Sequence, residues 1–212
     1  MNYLPPPAGY LDLGKAFNTT DGSFGNLIGT IVDVLPPIVN AKSGQHQFTF
    51  KLLDSKLRDS VYGSQGYTVR FWRNDANLLP KIKCKGDIVL LKNVKLTTFS
   101  GQPLALSNFQ TTALVFPRET IPDPSYQIAF YGAKTTLPAL GAQTDIDALT
   151  AEVQHYVIQL KDALKRIPEL SGPSATEDTL KRKTAPTELA TDRRKLVKSS
   201  VSNKFQLVQE LQ

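Results

Sequence analysis

The sequence predicts a mainly β protein built around one small five-stranded Greek-key barrel, followed by a C-terminal α-helix and a disordered basic tail. Three observations carry that class. Five short apolar or alternating runs fall between residues 25 and 117, a helical turn separates the third run from the fourth where a long crossover helix would be needed for a parallel sheet, and alternating β/α units are absent. A β-sandwich would need about seven strands.

Residues 1–24, opening "MNYLPPPAGY", read as an N-terminal extension. "LIGTIVDVLPP" (27–37) is a β-branched run ended by Pro36-Pro37, which cannot continue a central strand. "HQFTFKLLD" (46–54) alternates, with Phe48, Phe50 and Leu52 inward and Gln47, Thr49 and Lys51 outward. Asp54 opens a turn-rich connection, "SKLRDSVYGSQG", that leads to the third strand, "YTVRFWR" (67–73). Its period of two sets Val69 and Phe71 inward and Thr68, Arg70 and Trp72 outward, so the chain's single tryptophan shares a face with a cation. "NDANLLPKIKCKGD" then suits one helical turn started by Asn74 or Asp75, broken by Pro80, and a tight turn at Gly86-Asp87. "IVLLKNVKLTTF" (88–99) and "PLALSNFQTTALVF" (103–116) pair as a hairpin across "SGQ". This is the pattern of an OB-fold over residues 25–117.

Residues 118–168 read as a connector and a packing helix. "TDIDALTAEVQHYVIQLKDALKRI" (144–167) repeats apolar residues at Ile146, Leu149, Val153, Val157, Leu160 and Leu164, with Thr144 as the expected cap. Residues 169–212 turn to Ser, Thr, Pro, Lys and Glu, a composition that cannot offset ordering entropy by burial, and are expected to form a flexible linker. The final "NKFQLVQELQ" is apolar again, as though a further element were beginning.

The net charge of +6 is unevenly spread: residues 42–95 hold 11 basic and 4 acidic side chains, enough for an anion-binding surface. No run of about 18 apolar residues occurs and the first residues lack the regions of a signal peptide, so a soluble intracellular chain without a membrane partner is expected. A lone Cys84 agrees with a reducing compartment and reads as filler at a strand end. The two histidines, His46 and His155, stand apart without a nucleophile motif, no Cys/His or Asp/Glu spacing suggests a metal site, and the glycines at 22, 25 and 29 lack a phosphate-loop context. The expectation is a binding protein with no cofactor and no enzymatic role. From its own window Trp72 has two readings, a strand-end packing residue and a stacking platform.

The ordered set "GTIVDVLPP", "QFTFKLLD", "VRFWRNDANLLPKIKCKGDIVLLKNVKL" and "TTFSGQ" resembles the amino-terminal OB domain of the protection-of-telomeres family, proteins that bind telomeric single strands. The resemblance implies that Trp72, ahead of Leu79-Pro80, is an aromatic platform for a base, and that Phe99 is a second aromatic on the β-hairpin loop. Single-stranded DNA calls for aromatic faces, cations and amides. The outward strand positions offer Thr49, Lys51, Arg70 and Trp72; the flanking loops offer Lys42, Ser43 and Gln45 on one side and Phe99, Ser100 and Gln102 on the other; Asn108 adds a strand-edge amide. The family likeness further implies preference for a G-rich telomeric strand, protection of chromosome ends, other telomere-complex proteins as partners and a nuclear location. "KRK" (181–183) and "RRK" (193–195) resemble a two-part nuclear address. Without the resemblance, the residues reach single-stranded nucleic acid and leave open a general DNA or RNA binder and a peptide-binding module.

Overall fold

The computed structural model describes residues 3–60, 63–123 and 136–165. The linker expected over 169–212, with both basic runs, and the last residues of the expected helix lie outside the described residues.

Seven strands are present among them: β1 (Phe24–Val34), β2 (Ile38–Val39), β3 (His46–Leu53), β4 (Tyr67–Arg73), β5 (Ile88–Phe99), β6 (Gln102–Leu106) and β7 (Thr112–Phe116). The sheet order β1-β3-β4-β6-β5 closes on itself through β1–β5. The β4–β6 seam is parallel and every other pairing is antiparallel. These five strands are the OB barrel expected from the sequence, and β1 serves two partners, pairing residues 24–30 with β5 and residues 30–34 with β3. Register shifts between Gly25 and Leu27 and between Ile31 and Asp33 bend β1 around this corner. The β5–β6 hairpin turns at Ser100 and Gly101, both at positive φ (50° and 76°), the handedness a tight hairpin requires.

The interior follows the alternation. Phe48, Phe50, Leu52, Tyr67, Val69 and Phe71 join Leu27, Ile31, Val89, Leu91, Val94 and Leu96 in one cluster. Helix α1 (Leu13–Asn18), within the segment read as an extension, places Leu13 and Ala16 in that same cluster. Asp54 ties this end together. It caps the short helix α2 (Ser55–Arg58) by accepting from Leu57 N–H (2.6 Å), and its other oxygen accepts from Leu13 N–H at the start of α1 (2.7 Å). The carboxyl is 1% exposed, and burial pushes its pKa up.

Two expectations change. The run 103–116 is not one strand: β6 and β7 are separated by residues 107–111, because Asn93 on the facing strand adopts a positive φ (58°) and breaks the ladder. The carbonyl of Asn93 is instead taken up by the Asn108 amide (2.7 Å) and the Thr111 hydroxyl (2.8 Å). The helix does not start at Thr144. That residue lies inside a short helix, α3 (Gln143–Asp147), while the main helix α4 (Ala151–Leu164) is capped by Thr150, whose hydroxyl accepts from Val153 N–H. α4 packs Val153, Tyr156, Val157, Ile158, Leu160 and Leu164 on a second cluster built from Ile28, Ile88, Leu90, Leu114 and Phe116, outside the barrel.

Candidate nucleic-acid interface

The strand positions expected to bind lie on the outer face of β3 and β4, and backbone register sets their neighbours on the other strands. One transverse row reads Thr49, Arg70, Leu106, Lys95, Phe24, each opposite the next on the neighbouring strand. A second, toward the hairpin, reads Lys51, Thr68, Leu104, Thr97. A third starts with Gln47 opposite Trp72. On one side of these rows lies the β2–β3 loop with Lys42, Ser43 and Gln45; on the other lies the β5–β6 hairpin with Phe99, Ser100 and Gln102. The β3 and β4 parts of these rows form the floor of a candidate groove between the two loops.

Arg70 and Phe99 meet across this groove. The guanidinium carbon stands 4.8 Å from the Phe99 ring centre, and Phe99 is 58% exposed, so the ring is not packed beneath the hairpin. Arg70 Nε is buried and makes no hydrogen bond, so no protein acceptor at that atom fixes the guanidinium beside the Phe99 ring. Trp72 is half-buried, and its backbone N–H donates to Ser107 Oγ (2.7 Å). Gln47 donates to Thr49 Oγ1 (3.1 Å) within the floor.

The two arginines flanking Trp72 do different work. Arg73 turns away from the groove and braces residues 107–111: it donates to the carbonyls of Trp72 (2.7 Å), Asn108 (3.1 Å) and Thr111, and its guanidinium carbon lies 4.2 Å from the Phe71 ring centre. Burial pulls its pKa down from the ordinary arginine value.

The loop residues divide similarly. Asn40 accepts from the Lys42 and Ser43 N–H groups (2.9 and 3.3 Å) and fixes the β2–β3 loop, holding both side chains exposed. The Gln45 amide donates to Asn74 (3.1 Å), joining this loop to the end of β4. Gln102 is exposed at the start of β6. The Asn108 side chain is engaged on both ends, donating to Asn93 O and accepting from Gln110 N–H (2.6 Å), which makes it a brace for the loop that follows β6.

Three outward residues escaped the sequence reading: Phe24 (58% exposed), Lys95 and Phe109 (91% exposed). For Phe24 and Lys95 the signal is cross-strand register, which a local window does not contain. Elsewhere, Cys84, Asp87 and Glu119 bring possible ligand atoms within 4.8 Å of one another. Asp87 is fully buried there and already accepts from the N–H groups of Lys83, Cys84 and Arg118, and Glu119 pairs with Lys83 (3.5 Å), so the cluster is accounted for as a turn anchor.

The family described as telomeric single stranded DNA binding POT1/CDC13 matches residues 6–169. Among solved structures, a Pot1 (protection of telomere)–ssDNA complex is 16% identical, with a TM-score of 0.49, over 72% of this chain and 86% of that one. Fission yeast Pot1 with ssDNA is 16% identical, with a TM-score of 0.47, over 72% of this chain and 48% of that one. A replication protein A heterotrimer bound to ssDNA is 17% identical, with a TM-score of 0.40, over 55% of this chain and 25% of that one. No curated protein matches the chain.

Proposed function

Because the chain belongs to the telomeric single stranded DNA binding POT1/CDC13 family, we propose that its groove binds a G-rich telomeric single strand in preference to other sequences and so protects chromosome ends in the nucleus, alongside other telomere proteins. The observation that carries this reading is the Arg70 guanidinium set 4.8 Å from the exposed Phe99 ring, on the face of β4 that also presents Trp72. Stacking on Trp72 and Phe99 accepts any base, while Lys42, Lys51 and Arg70 meet phosphates. Thr49, Ser43, Ser100 and the amides of Gln45 and Gln102 read base edges, Gln102 foremost because its amide is exposed, whereas that of Gln45 is held by Asn74.

The test is fluorescence anisotropy with a G-rich telomeric strand, a scramble of equal composition, duplex and matching RNA at one salt concentration. The telomeric strand binds most tightly; equal affinity for telomeric and scrambled strands overturns the sequence preference. Trp72→Ala weakens binding by about 1–3 kcal/mol with the melting temperature little changed. An unaltered affinity in the folded variant would remove Trp72 from the site.

Salt provides a separate check. Each phosphate contact adds about 0.7 to the slope of log affinity against log salt for a single strand, so the Lys42/Lys51/Arg70 triple alanine variant has a slope shallower by about 1–2. A slope identical to wild type would place these cations off the phosphate path.

A further inference from the structure

We infer that Ser107 is a positioning residue for Trp72: its hydroxyl, presented by the break between β6 and β7, holds the end of β4 so that the indole ring stands ready for a base. The inference rests on the reading of Trp72 as a stacking platform and adds to it the residue that aims the ring. The parallel β4–β6 pairing reaches only from Thr68–Leu104 to Arg70–Leu106, and its last link is the Ser107 N–H donating to the Arg70 carbonyl (3.1 Å). Trp72 lies beyond that point. It stands opposite Gln47 of β3, and both polar groups of its backbone meet side chains. The N–H donates to Ser107 Oγ (2.7 Å), and the carbonyl accepts from Arg73 (2.7 Å) and from the Ser107 hydroxyl (3.4 Å). One side-chain hydroxyl thus takes the place of the next main-chain rung of the seam.

The hydroxyl is itself fixed from behind. The Asn93 carbonyl, turned out of the ladder at φ 58°, takes the Asn108 amide and the Thr111 hydroxyl, and Asn108 N–H donates to that same Thr111 oxygen (2.8 Å). Arg73 closes the loop by donating to the carbonyls of Asn108 and Thr111. Ser107 therefore sits between two braced points, its own N–H on Arg70 and its neighbour Asn108 on Asn93. The backbone angles of a residue govern which rotamers its side chain can take. A loose end of β4 lets the indole sample several directions, whereas a clasped one holds few, so less freedom is left to lose when a base stacks on it. The break in the run 103–116 gains a purpose: it delivers a hydroxyl to the strand end that carries the platform.

The experiment uses the full chain and its single tryptophan, whose emission reports this ring alone. Wild type, Ser107→Ala, Ser107→Thr, Trp72→Ala and the double variant Trp72→Ala/Ser107→Ala are compared, each checked for cooperative folding by thermal melts. Acrylamide quenching and time-resolved anisotropy follow the indole, and the anisotropy of a labelled G-rich telomeric strand gives the affinity. Ser107→Ala stays folded, yet its indole is quenched faster and loses local order. Its affinity falls about three- to thirtyfold in the wild-type background but stays within about twofold of the parent in the Trp72→Ala background, because effects that act through one side chain do not add. Ser107→Thr, which keeps the hydroxyl, restores both readouts. If Ser107→Ala leaves quenching and affinity as in wild type, or lowers affinity by the same factor in both backgrounds, the positioning role is overturned, while an impaired Trp72→Ala keeps the platform. If Trp72→Ala binds as wild type does, the platform falls and Ser107 has nothing to aim.

Discussion

Asp54→Ala lowers the stability of the domain by about 2–4 kcal/mol and its melting temperature by roughly 5–12 °C. The substitution removes the cap of α2 and leaves Leu13 N–H, at the start of α1, buried without an acceptor. Losing a cap costs about 0.5–2 kcal/mol and an unsatisfied buried donor about 1–3 kcal/mol, partly offset because a buried carboxyl near Asp12 is relieved. The effect carries a pH signature. Burial raises the folded-state pKa of Asp54, so the folded protein holds this proton more firmly than the unfolded chain; its contribution is fully present below the unfolded value of about 3.9 and is lost as pH rises through the folded pKa. The stability difference between wild type and Asp54→Ala, followed by thermal melts across this range, therefore narrows as pH rises. A difference that widens would show that the carboxylate, and not the acid, is the form the fold favours.

Arg73→Ala lowers stability by about 2–3 kcal/mol, whereas Arg70→Ala, two residues before Trp72, leaves the melting temperature within about a degree or two of wild type and weakens DNA binding. Arg73 supplies three carbonyls with donors and covers Phe71, and hydrogen bonds involving a charged group contribute about 1.5–3 kcal/mol each where water is excluded, less at this half-buried site. Arg70 has no such hydrogen bonds at its Nε. Urea melts and anisotropy on the two variants check this division. Equal stability losses would mean that both side chains serve the fold.

The barrel was legible because its code is local. Alternation in 46–53 and 67–73, the Pro36-Pro37 stop, the turn at Asp75 and the hairpin at Ser100-Gly101 each depend on a few neighbouring residues, and the structure reproduces their inward and outward sets. Three features depended on distant parts of the chain. Arg73 has no reading in its own window because its partners, at 108 and 111, lie in the loop between β6 and β7. The split of 103–116 follows from the backbone of Asn93, which only the assembled ladder reveals. Thr144 and Thr150 are both fit to cap; the structure uses Thr150 for the long helix, with Ile146 and Leu149 just before it packed on the outer cluster. The outward positions on β3 and β4 were readable by period two, while Phe24 and Lys95 are set opposite each other only by register.

The parallel β4–β6 seam has a kinetic meaning. Strands β3 and β4, and strands β5 and β6, are neighbours in the chain and can zip locally, but β1 must find β5 across most of the domain, and β4 can meet β6 only when the two hairpins dock. Such non-local pairings slow folding into the millisecond-to-second range. Arg70 and Leu106 are brought side by side by that docking alone, so this part of the surface is complete only once the two hairpins have met. A bound strand spanning the seam consequently selects the closed barrel and acts on its lifetime: it slows opening while leaving the rate of closure unchanged.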